Sequence, residues 1–114
     1  MVSIYGIQNC DTMKKAMRWL DEAGVDYRFH DYRKQGLDAE LLAGWCAQLG
    51  WEALLNRRGT TWRKLDDAVK QDLDEAQAIA LMCEHPAMIK RPVLVMPERV
   101  EVGFSAERYS ELFA

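Results

Sequence analysis

The run Val2-Ser3-Ile4-Tyr5 alternates apolar and polar residues, and Tyr27-Arg28-Phe29-His30 reads as a second strand. Between them, Met13, Ala16, Met17 and Leu20 recur at i, i+3, i+4 and i+7, the face of a helix. Gly24 suits the position just past the end of that helix. A tight hairpin joins only antiparallel strands, whereas a helix between two strands supplies the crossover that a parallel pair needs. The spacing therefore predicts a βαβ unit over residues 2–30 and commits the chain to an α/β architecture.

The middle of the chain is helical. Asp38 is placed to cap a segment carrying Leu41, Leu42, Trp45, Cys46 and Leu49, with Gly50 at its end. A short helical turn is expected over Trp51 to Leu55, followed by the basic loop Asn56-Arg57-Arg58-Gly59. Leu73, Ala76, Ile79, Ala80 and Cys83 form the expected face of another helix, which Pro86 stops. Val93-Leu94-Val95-Met96 has the continuous apolar character of a buried strand. Pro97-Glu98-Arg99 turns the chain into Val100-Glu101-Val102, and Ser105 caps a last helix bearing Tyr109, Leu112 and Phe113. The order is βαβ, a helical block, then ββα. Without the block this is the order of a thioredoxin-like fold. The expectation is one α/β domain over residues 1–114 with a mixed four-stranded sheet and a helical insertion at about 38–87.

Bulk properties narrow the function classes. A chain of 114 residues suffices for one domain, and 49% hydrophobic with 29% charged residues is a globular balance. No apolar run approaches a membrane span, and MVSIYGIQNC lacks a basic start, a long apolar stretch and a small-residue cleavage site. A cytoplasmic location with no membrane partner is expected. A net charge of −3 argues against a nucleic-acid partner held by bulk charge. The three cysteines, Cys10, Cys46 and Cys83, are odd in number and widely spaced, and His30 and His85 lie at no ligand spacing from them. Neither a disulfide framework nor a zinc site is expected.

Cys10 stands at the junction of the first strand and the first helix. The first N–H groups of a helix lack internal partners, and with the helix dipole they favour thiolate over thiol. The thiolate is the nucleophile. Lys14 and Lys15, about one turn along, add positive potential, while Asp11 opposes it if its carboxylate faces the sulfur. The residue three places after Cys10 is Met13, so there is no C-x-x-C pair and the resolving thiol must come from elsewhere. In the cytosol glutathione is the abundant candidate. Cys46 and Cys83, on apolar helix faces, read as inert packing residues.

The stretch from Tyr5 to Lys15, the segment Phe29-His30-Asp31-Tyr32-Arg33-Lys34, Glu84-His85-Pro86 and Ile89-Lys90-Arg91-Pro92-Val93-Leu94-Val95 resemble the ArsC/Spx family, nearest to its YffB branch. The resemblance covers essentially the whole chain and implies a thioredoxin-like fold with a helical insertion. It implies that Cys10 is the nucleophile, that Pro92 is the cis proline facing it, and that Arg91 corresponds to an arginine with which arsenate reductases hold an oxyanion. Those reductases use three arginines. The first falls on Asn56, one place before Arg57, and the third near Gly103. This moves the expected substrate from arsenate towards glutathione.

The expected activity is that of a glutathione-dependent monothiol oxidoreductase, with Cys10 catalytic. Asn9, Asp11, Thr12, Lys14, Arg57, Arg91 and Pro92 form the expected substrate-binding set, the two arginines holding carboxylates by paired hydrogen bonds. No bound cofactor or metal is expected. Glutathione is the cosubstrate, a glutathionylated small molecule the partner, and glutaredoxin a further candidate partner of a monomer. The alternatives are arsenate reduction with glutathione and glutaredoxin, and a protein-binding regulator of the Spx type. Arg33 and Lys34 are expected to be solvated, the histidines to serve as packing or helix-end residues rather than as the base, and the tryptophans to pack.

Overall fold

The structure, a computed structural model, describes residues 2–114. Its elements run β1 (Val2–Gly6), α1 (Asp11–Glu22), β2 (Tyr27–Asp31), α2 (Tyr32–Gln35), α3 (Ala39–Leu49), α4 (Trp51–Leu54), α5 (Thr60–Arg63), α6 (Asp67–Lys70), α7 (Glu75–Glu84), a 3-10 turn at Pro86–Met88, β3 (Val93–Val95), β4 (Val100–Val102) and α8 (Ala106–Leu112). The chain divides into two compact units. One comprises the segment up to Gln35 and that from Arg91 onward, the other Gly36–Lys90.

The first unit holds a mixed four-stranded sheet of order β2-β1-β3-β4, a thioredoxin-like arrangement. β1 and β2 are parallel, as the α1 crossover requires, with Ile4 opposite Phe29 and Gly6 opposite Asp31. β3 runs antiparallel to β1, with Tyr5 opposite Val93, and β4 is antiparallel to β3. The register brings the C-terminal ends of β1 and β2 and the start of β3 to one edge of the sheet. α1 buries Met13, Ala16 and Leu20 against Ile4, Leu94 and Tyr109. Each large apolar side chain in such a cluster contributes roughly 1.5–3 kcal/mol relative to an exposed one. Tyr109 is packed edge-on by Trp19 and Phe104, with ring centroids at 5.6 and 4.7 Å. The Ser105 Oγ accepts the Arg108 N–H at 3.1 Å and caps α8 as the sequence suggested. At the end of β1 the chain needs glycine: a Cβ on Gly6 would lie 2.2 Å from the Met13 sulfur.

In the second unit Asp38 caps α3 by accepting the Glu40 N–H at 3.0 Å, and α3 buries Leu42, Trp45 and Cys46. α7 departs from the expected face. A capping box, in which Asp74 accepts the Gln77 N–H at 2.8 Å and Gln77 accepts the Asp74 N–H at 3.3 Å, starts the helix after Leu73. Ala78 and Met82 are the buried residues, while Ala76 and Ala80 are exposed. The stretch Ala76-Gln77-Ala78-Ile79-Ala80-Leu81-Met82 is apolar on every side but one, so its periodicity left the buried face undetermined. α2, α5 and α6, four residues each, are too short to carry a helical period and were not expected. The Leu55–Ile89 bridge and the bonds Asn56 N–H to Met88 carbonyl and Lys90 N–H to Leu54 carbonyl, both 2.7 Å, tie α4 to the end of this unit. Among the described residues no helix is long and apolar enough to cross a membrane.

Candidate active site

Cys10 is the N-cap residue of α1, in an extended conformation (φ −127°, ψ 128°), and its carbonyl accepts the Lys14 N–H at 3.0 Å. It is half-buried. Burial alone would push its thiol upward. The Met13 N–H, the Arg91 guanidinium, the Thr12 N–H and the Arg91 charge outweigh that and hold the thiol below its ordinary value. The cause is local and tertiary at once: two orphan N–H groups from the first turn of a helix, and one cation from a distant segment.

That cation is placed by the sheet. Arg91 precedes Pro92, the bond between them is cis, and Val93 opens β3 opposite Tyr5 of β1. The guanidinium hydrogen-bonds both the Cys10 sulfur and the Tyr32 hydroxyl. Burial opposes its charge, but these bonds outweigh burial and push its pKa up. Tyr32 is fully buried, and burial pushes its hydroxyl up to about 12 against the smaller, opposing pull of Arg91. It follows Asp31, whose Oδ1 accepts the N–H groups of Arg33 (3.0 Å) and Lys34 (3.3 Å) and so closes α2.

The first unit thus brings Cys10, the Thr12 backbone, Arg91 and Pro92 together. Thr12 contributes its N–H, its side chain being on an exposed residue. Asn9, Asp11 and Lys14 are also exposed around the Cys10 turn. Arg57 belongs to the second unit, where its guanidinium lies 5.8 Å from the Trp51 ring centroid and 6.0 Å from that of Trp62. Asn56, where the resemblance puts the first arsenate-reductase arginine, accepts the Arg58 N–H at 3.0 Å as a loop residue. Gly103, near which the resemblance puts the third, has φ +86° and donates its N–H to the Pro92 carbonyl at 2.8 Å. That position is a turn in the left-handed region, which disfavours an arginine.

Two residues near Cys10 escaped the sequence reading. Tyr32 was visible only as part of a resemblance motif, since one tyrosine after a strand carries no pattern of its own. Lys34, expected to be solvated, donates from Nζ to Gln8 Oε1 at 2.7 Å and links α2 to the loop before Cys10. His30 packs against Tyr5 with ring centroids 4.7 Å apart, and exposed Glu84 lies 3.8 Å from His85. Burial, with Glu75 near Cys46 and Asp38 near Cys83, pushes both other thiols up. Among the described residues no cluster of three His, Cys, Asp or Glu side chains could hold a metal.

The family model described as ArsC family matches residues 5–112. A solved YffB protein is 56% identical and superimposes with a TM-score of 0.96 over all of both chains. An arsenate reductase (ArsC) related protein from Brucella melitensis is 53% identical with a TM-score of 0.79, over 98% of this chain and 93% of that one. Among sequence relatives, an uncharacterized protein of Haemophilus influenzae is 43% identical over the full length of both. The global transcriptional regulator Spx of Streptococcus pyogenes is 26% identical over 94% of this chain and 81% of the regulator.

Proposed function

The chain belongs to the ArsC family, and on that premise we propose that it is a thiol–disulfide oxidoreductase that works through the single thiolate of Cys10 with glutathione as reductant. The observation that carries this reading is the convergence of the Met13 and Thr12 N–H groups and the Arg91 guanidinium on Cys10. Such a site stabilises a thiolate, and also the thiolate regenerated when a mixed disulfide is resolved.

The cycle has two exchanges. The Cys10 thiolate attacks the glutathione sulfur of a glutathionylated molecule, and the substrate leaves as a thiolate that takes up a proton. A second glutathione, having given up its proton, attacks the Cys10–glutathione disulfide. Oxidised glutathione departs and the Cys10 thiolate returns. Two electrons pass from glutathione to the substrate. Met13 fills the place where a neighbouring resolving cysteine would stand and is fully buried, so the second thiol comes from solution. Arg91 neutralises charge at the sulfur and offers a fork to a glutathione carboxylate. The glutathione-rich cytosol is the compartment that suits this chemistry.

The test is turnover of a glutathionylated substrate by purified protein, followed through formation of oxidised glutathione. Cys10→Ser is expected to reduce turnover to background with the fold retained. Full turnover in that variant sinks the reading. A second reading, arsenate reduction, is favoured by the Arg91 guanidinium beside the thiolate, an arrangement suited to an oxyanion. Cys10 would add to arsenic with loss of water, and glutathione would supply two electrons and leave as its disulfide. An assay with arsenate, glutathione and glutaredoxin decides it, and absence of turnover removes it.

A further inference from the structure

Arg91 reaches Cys10 on a long, flexible side chain with many rotamers. A guanidinium on such a stem is a useful electrostatic partner only where something else holds it. The sheet register supplies the candidate. Gly6 at the end of β1 lies opposite Asp31 at the end of β2, so the residue leaving β2 emerges beside the loop that leads to Cys10. That residue is Tyr32.

We propose that Tyr32 is a positioning residue for the reacting thiolate: its hydroxyl accepts a hydrogen bond from Arg91 and fixes the guanidinium against the Cys10 sulfur. This inference rests on Cys10 being the reactive thiolate of the proposed function.

Three features of the fold support it. Tyr32 is fully buried, so its ring has one place to be. Its backbone is locked as well, because Asp31 bonds the two N–H groups that follow, at 3.0 and 3.3 Å. And the hydroxyl is neutral wherever a thiolate is useful. The charged or titratable groups facing it are Arg91, Cys10 and Asp31; burial, with Cys10 and Asp31, outweighs the opposing pull of Arg91 and pushes the hydroxyl up to about 12. A neutral phenol accepts from the guanidinium without competing for its charge, and so leaves that charge to the sulfur.

The experiment is the pH dependence of Cys10 alkylation, read by peptide mass spectrometry, in the wild-type chain, Tyr32→Phe, Arg91→Ala and the double variant. It needs no glutathione turnover, so failure of the glutathione reading leaves its outcome intact. Tyr32→Phe keeps the ring and removes only the hydroxyl. Its alkylation midpoint is expected to rise by ~0.5 pH unit, and that of Arg91→Ala by ~1 unit. The double variant is expected to match Arg91→Ala, because Tyr32 acts only through Arg91. A wild-type midpoint in folded Tyr32→Phe, or additive shifts in the double variant, overturns the proposal. Should Tyr32→Phe fail to fold, 3-fluorotyrosine placed at position 32 keeps the shape and the hydroxyl but weakens it as an acceptor. Its midpoint is expected above wild type, and an unchanged one overturns the proposal.

Discussion

Arg91 hydrogen-bonds the sulfur of Cys10 from the position directly before Pro92, although eighty residues of sequence intervene between the two. The first turn of α1 contributes the Met13 and Thr12 N–H groups, and Arg91 adds the full charge. The sign of the effect is set by competition. Burial favours the thiol, and the donors reverse it.

Removing Arg91 should let burial regain ground. Arg91→Ala is expected to move the Cys10 midpoint upward by ~1 unit, towards the ordinary thiol value of about 8.5. Because the folded value is lowered, Cys10 ionisation favours folding fully above the unfolded thiol value, and this stability is lost as pH falls through the folded midpoint. Urea unfolding of wild type and Cys10→Ser across pH should therefore show a gap that widens as pH rises to about 8.5. A gap that narrows with rising pH contradicts the assignment.

The three thiols should not react alike. Cys46 is 4% exposed, and burial pushes both it and Cys83 up, whereas Cys10 is held down. Limited alkylation near neutral pH is expected to label Cys10 at least tenfold faster than Cys46, with Cys83 well behind Cys10. Peptide mapping after a short pulse reads the order directly. Equal labelling of Cys10 and Cys83 would remove the selectivity argued for the site.

Rebuilding an arsenate-type clamp by Gly103→Arg should cost stability. The residue has φ +86° and its N–H bonds the Pro92 carbonyl at 2.8 Å. A side chain in the left-handed region is expected to lose about 1–2 kcal/mol. Gly103→Ala should lose a similar amount, which separates the backbone effect from any effect of charge. Denaturant unfolding checks both.

Tyr109 is fully buried, and its hydroxyl finds no hydrogen-bond partner among the described residues. Burial, with Glu101 nearby, pushes its ionisation well up. Tyr109→Phe keeps the edge-on contacts with Trp19 and Phe104 and removes the stranded hydroxyl. A gain of about 1 kcal/mol is expected, seen as a rise in Tm. The raised value also means that stability is fully present below the unfolded tyrosine value of about 10 and declines above it. The Phe variant should lose less stability than wild type between pH 9 and 11.

What could be read from sequence was what depends on near neighbours in the chain. The strand–helix–strand opening, the Asp38 and Ser105 caps and the placement of Cys10 at a helix start each involve residues a few positions apart. Local chemistry failed where local signals were degenerate. α7 is apolar almost all round, and its Asp74–Gln77 capping box, rather than its periodicity, sets where the helix begins. The four-residue helices α2, α5 and α6 are shorter than any period that could announce them.

The sequence by itself determined the order of the elements and a cysteine at the entry of α1, because turns, caps and helix faces are short-range properties. Arg91 was expected there only through the resemblance; the tertiary structure alone decided that Tyr32 joins it at that cysteine, and that Lys34 reaches Gln8. Those contacts depend on the register Gly6–Asp31 and Tyr5–Val93, which pairs strands far apart in the chain and carries three separate segments to the same edge of one sheet.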